Sequence, residues 1–147
     1  MAVTAKVYSK YHLSAVGSGG GPINWPSDTI KIMLCTSAYT PNQSTDQFKS
    51  SVTSEVVGTG YTATGYTLAN KTATTSALVA TFDNTVDPSW SASTITARYA
   101  VVYDSTPATD ATRPLIMYID FGADVVSSGG TFTITFDVAG IWTQTVA

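Results

Sequence analysis

The stretch "TITARYAVVYDST" (Thr94–Thr106) decides how the rest of this chain is read. In its first half Ile95, Ala97 and Tyr99 fall on one side, and Thr94, Thr96 and Arg98 on the other. That period of two belongs to a strand with one face in a core. From Tyr99 to Tyr103 the apolar run is unbroken, as in a strand buried on both faces. Asp104 is then expected to begin a turn rather than take part in catalysis, and Arg98 to form an internal ion pair. The turn-rich "PATDATRP" (Pro107–Pro114) follows, and "LIMYIDFG" (Leu115–Gly122) reads as the returning strand of a hairpin.

Working outward, further extended segments are "KVYSKYHL" (Lys6–Leu13), "TIKIMLC" (Thr29–Cys35), "YTLANKT" (Tyr66–Thr72) and "ALVATFDN" (Ala77–Asn84). Near the end come "TFTITFDV" (Thr131–Val138), set off by Gly129 and Gly130, and "IWTQTVA" (Ile141–Ala147). Trp90 is placed in a connection. The region Thr36–Val52 is the least strand-like, with Thr45 expected to cap one helical turn that contains Phe48. Turn signals recur at roughly 8–12 residues, the spacing of antiparallel sandwiches and barrels. The expectation is an all-β, antiparallel β-sandwich or barrel with at most one short helix. Residues 1–147 read as one domain, and residues 1–22 as an extended N-terminal arm ending in the glycine-rich hinge "GSGGGP" (Gly17–Pro22).

Composition agrees. The 147 residues are 44% hydrophobic and only 12% charged, against about 25% charged in an average soluble domain. Abundant Thr takes the place of charge, and Thr suits a pleated, half-buried surface better than a helix. The net charge is −3, and the seven basic residues are scattered singly. A nucleic-acid partner, which requires a clustered basic footprint, is therefore not expected. No stretch approaches the roughly 20 apolar residues of a membrane-spanning helix. The N-terminal residues lack the apolar core of a signal peptide, so synthesis in a cytosol is expected. With so little charge, self-repulsion is weak and association is easy.

Few residues offer chemistry. His12 is the only histidine and Cys35 the only cysteine, and no local motif joins them as base and nucleophile. Free cysteines favour buried, inert positions. The closest acidic pairs, Asp83 with Asp87 and Asp120 with Asp124, read as turn residues rather than a glycosidase pair. A structural calcium ion near Asp83, Asn84 and Asp87 is left open. "GSGGGP" leads into Pro22 and an extended segment instead of a helix, so it is no phosphate loop. "DFG" (Asp120–Gly122) lacks the partner motifs of a kinase. No enzyme activity and no cofactor are expected.

Aromatic residues carry more information. Most should pack in the core and across strands. Tyr8, Tyr11 and Trp25 flank the glycine-rich stretch and are the candidate interface anchors.

The strings "AKVYSKYHLSAV", "DTIKIMLCTSAYTPNQSTDQF", "VTSEVVGTGYT", "TARYAVVYD", "RPLIMYIDFGAD" and "TFTITFDVAGIW" together resemble a family of small virion structural proteins of tailed bacteriophages, over nearly the whole chain. The resemblance implies a capsid decoration, or cement, protein at the virion surface. It would be a homotrimer bound to the major capsid protein and made in the host cytoplasm. The alternative it implies is a tail or fibre component that binds a glycan or receptor.

Overall fold

The computed structural model describes residues 2–17 and 21–146. It contains β1 (Thr4–Val7), α1 (Tyr11–Ala15), β2 (Ile30–Cys35), a 3-10 turn (Lys49–Ser51), β3 (Tyr66–Thr67) and β4 (Lys71–Ser76). These are followed by β5 (Val79–Asn84), β6 (Ser89–Asp104), β7 (Leu115–Thr133) and β8 (Trp142–Thr145). Pairing is antiparallel throughout. One sheet has five strands in the order β1-β7-β6-β2-β3, the other three in the order β4-β5-β8. Neither closes on itself, so the fold is a sandwich and not a barrel.

The opening segment is the middle of the larger sheet, with β2 on one side and β7 on the other. Ala100 and Val102 face the core between the sheets, together with Ile30, Ile32, Leu34, Ile116 and Ile119. Val101 and Tyr103 face the opposite way, into a second cluster with Tyr8, Met33, Cys35, Tyr39 and Leu115. Both faces of the sheet are thus buried, as the unbroken apolar run requires. Asp104 does start the turn: its Oδ1 accepts a hydrogen bond from the Thr106 amide at 2.8 Å.

One detail of the alternation differs from the sequence reading. Ile95 and Ala97 lie in the core between the sheets, whereas Tyr99 packs against the second cluster. The cause is a bulge. Ala97 pairs with Val125 and Tyr99 with Asp120, so Arg98 alone stands opposite residues 121–124 of β7. An irregularity of this kind shifts the parity of every residue beyond it. The expected ion pair of Arg98 fixes the bulge, with Nε donating to Asp120 Oδ1 at 2.9 Å. The same carboxylate oxygen accepts the Gly122 amide at 2.7 Å, where Gly122 sits at φ +80°.

Other differences are local. β7 runs through Gly129 and Gly130 instead of breaking there, and Trp90 lies in β6 opposite Phe132. Residues 134–138 are not a strand. Ile134 N donates to the Pro88 carbonyl and Phe136 N to Asp87 Oδ1. Asn42, not Thr45, caps the turn before Phe48, its Oδ1 accepting the Ser44 and Thr45 amides. The N-terminal segment is not a free arm: β1 is an edge strand of the larger sheet, and α1 buries Tyr11 and Ser14. The hinge expected at Gly17–Pro22 falls in part on residues 18–20, outside the described residues.

Candidate partner-binding surface

The three aromatic residues singled out in the sequence are all inside the molecule. Tyr8 is 0%, Trp25 3% and Tyr11 7% exposed, which corrects the expectation that they form an exposed interface. Their role is to fasten the N-terminal segment. Tyr8 OH lies 3.0 Å from Tyr39 OH, which donates to Asp46 Oδ2 at 2.9 Å. Tyr11 meets Trp142 edge-on at 5.2 Å. Trp25 donates Nε1–H to the Asp83 carbonyl and meets Phe82 edge-on. A glycine-flanked aromatic signals packing as readily as contact, and nothing local separates the two.

The residues with possible chemistry do not meet. His12 is exposed on α1, edge-on to Tyr11, while Cys35 is buried in the second cluster across the sheet. Burial pushes the Cys35 thiol up to about 12, with Glu55 adding to the rise, so the thiolate is scarce near neutrality. Asp83 and Asn84 are neighbours in β5 and point to opposite faces. Asp87 Oδ1 is taken by the Phe136 amide. The three residues considered for calcium therefore do not converge. Among the described residues no group of three or more His, Cys, Asp or Glu side chains could hold a metal ion. Asp120 is held below the usual carboxylate range by its hydrogen bond from Arg98. Of the other acids, Asp120 is paired with Arg98 and Asp124 is exposed.

What the fold does present is an apolar groove of about 350 Å³ beside β1. Met117, Ile119, Phe121, Ile134 and Phe136 line it, with Val3 and Ala5 at the rim. Two features noted above create it. The bulge at Arg98 displaces Phe121 from the ladder, and the non-strand segment 134–138 crosses in front of the sheet. The groove adjoins a free strand edge. The Tyr8 amide donates to the Ile116 carbonyl in register with the β1–β7 ladder. By alternation Thr4 and Lys6 bond to β7, and Ala5 and Val7 turn their backbone groups outward. At Val7 this edge is partly covered, because Gln43 Nε2 donates to the Val7 carbonyl at 2.9 Å. At Val3 and Ala5 it is open. An extended segment pairing with Ala5 would lay alternate side chains over the groove, the geometry of strand addition.

The sequence did not reveal this surface. Its residues look like ordinary core positions, and Met117, Ile119 and Ile134 are buried as such; the bulge and the loss of strand after Thr133 leave Phe121 and Phe136 partly exposed.

Comparison with protein-family models, with curated proteins and with solved structures found no match. Among the described residues no helix is long and apolar enough to cross a membrane.

Proposed function

We propose that this chain is a bacteriophage capsid decoration protein, a non-enzymatic component that binds the lattice of the major capsid protein at the virion surface. The observation that supports it most is the apolar groove beside the open edge at Val3 and Ala5. A cement protein has to bind many identical sites through a rigid body, without turnover. Backbone pairing at β1 supplies affinity, and the groove selects which side chains accompany it. The sequence resemblance over nearly the whole chain supplies the virion context. The glycan-binding alternative is left with tyrosines alone, since Trp25, Trp90 and Trp142 are all buried and offer no stacking platform.

The test is co-sedimentation of the protein with undecorated capsids. The wild type should bind at saturating, site-stoichiometric levels. Ala5→Pro removes an outward amide that β7 does not use, a change tolerated at a free edge, and should weaken binding at least tenfold. Absence of wild-type binding would overturn the proposal.

A further inference from the structure

We propose that a second copy of this chain pairs with β4 across a two-fold axis, joining the two three-stranded sheets into one of six strands. This inference is independent of the capsid reading.

Of the four strands that end the two sheets, β4 is the longest. β1 and β8 have four residues each and β3 two, against six in β4. Its pairing with β5 is regular from Lys71↔Asn84 to Ser76↔Val79, with no bulge to twist the edge away. It contains no proline. Natural edges are commonly protected by a lysine, a proline, a bulge or short length. The one lysine here, Lys71, stands at the end of the strand and folds back, Nζ donating to the Leu68 carbonyl at 3.3 Å. The edge is therefore unprotected along "TATTS" (Thr72–Ser76), whose β-branched, uncharged residues suit a further strand.

The direction of its backbone groups can be worked out. Val146 N donates to the Leu78 carbonyl at 2.8 Å, in register with Val79↔Thr145. Alternation along β5 then turns Leu78, Ala80 and Phe82 toward β8, and Val79, Thr81 and Asp83 toward β4. Their partners Ser76, Thr74 and Thr72 bond inward. Lys71, Ala73 and Thr75 are left with amides and carbonyls facing out.

Those outward groups allow one well-centred antiparallel register with a second copy. Ala73 lies opposite Ala73, Thr72 opposite Thr74, and Lys71 opposite Thr75. About six backbone hydrogen bonds result, by the pairing rule of antiparallel ladders. No like charges oppose each other, because the two lysines lie about 14 Å apart at roughly 3.4 Å of rise per residue. The strand is thus complementary to itself in both backbone and charge, which is the requirement of an isologous contact. This two-fold contact differs from the three-fold assembly that the family resemblance implies.

Two measurements test it. Sedimentation equilibrium of the purified chain should give a dimer or an even multiple, and Ala73→Pro, which removes an outward amide only, should halve the mass. Oxidation of Ala73→Cys should give a disulfide-linked pair. In a hydrogen-bonded antiparallel pair the Cα atoms lie about 5.5 Å apart, within the span a disulfide bridges. The same change at Thr143, on the free edge of β8, should give none. A monomer, a trimer, or an even assembly unaffected by Ala73→Pro would overturn the proposal. So would cross-linking at Thr143→Cys in place of Ala73→Cys. Circular dichroism of Ala73→Pro should match the wild type, and if it does not, the cysteine result decides.

Discussion

The two sheets of this protein share a composition rich in Thr, Val and aromatic residues, yet they are built for opposite ends. The five-stranded sheet is buried on both faces along β2, the second half of β6 and the first residues of β7, and a hydrogen-bonded ion pair fixes its one large irregularity. The three-stranded sheet buries one face around the stacked rings of Phe82 and Trp142, 4.1 Å apart. It leaves β4 almost wholly exposed and puts Leu78, 63% exposed, at the tip of a hairpin. Burial on both faces confers rigidity but no surface, while a sheet with one buried face and free edges offers contact at the cost of local stability. The contacts proposed above accordingly lie at β1 and β4, away from the doubly buried centre.

Truncations should separate the two regions sharply. Ile32→Ala, in the larger sheet and fully buried, should destabilise the fold by about 2–5 kcal/mol, the usual range for such a cavity. Thr74→Ala in β4 should change stability by less than about 0.5 kcal/mol, as exposed substitutions do. Urea denaturation with an unchanged slope checks both, and equal effects would dissolve the contrast.

Gly65→Ala comes next. Gly65 has φ +84°, and an added Cβ would collide with the carbonyl oxygen of Ile32. The loop that carries Thr64 to Lys31 and Tyr103 would have to move. A loss of about 1–3 kcal/mol is expected from backbone strain of this kind, read as a lowered urea midpoint.

The bulge supplies a finer test. Arg98→Ala removes the donor that holds Asp120, and the Gly122 amide, bound to the same carboxylate, should exchange with solvent faster. Amides of Val101 and Val102 should not change.

The smallest effect is in pH dependence. Burial raises the Asp104 carboxyl above its ordinary value, outweighing the Thr106 hydrogen bonds that lower it. The native state therefore holds this proton more tightly than the unfolded chain. Its contribution to stability should increase as pH falls through the raised folded value toward the ordinary value of about 3.9. Asp110 and Asp120 act in the opposite sense. Hydrogen bonds from Lys49 and Arg98, respectively, depress their values. Their stabilisation is present above the ordinary carboxylate value and is lost as pH falls through the depressed one. Asp104→Asn keeps an acceptor for Thr106 and should abolish the rise on mild acidification, leaving the acid loss unchanged.

Much of the fold was legible in the sequence because it rests on local periodicity. The burial of Tyr99–Tyr103 on both faces, the hairpin to Leu115 and the turn at Asp104 all follow from residue order. What was not legible depends on long-range register. Nothing in "TITARY" announces that Arg98 faces four residues of β7, and that bulge reverses the side taken by Tyr99 and exposes the groove at Phe121. Tyr8, Tyr11 and Trp25 were misread for a related reason. Their burial depends on Tyr39, Trp142 and Phe82, all distant in sequence.

The most direct test of the contact surface is amide hydrogen exchange of the chain free and bound to undecorated capsids. Binding through β1 should slow exchange at Val3, Ala5 and residues 134–138, while Val101 and Val102 stay protected in both states. Slowed exchange confined to other surfaces, with Val3 and Ala5 unchanged, would contradict the account.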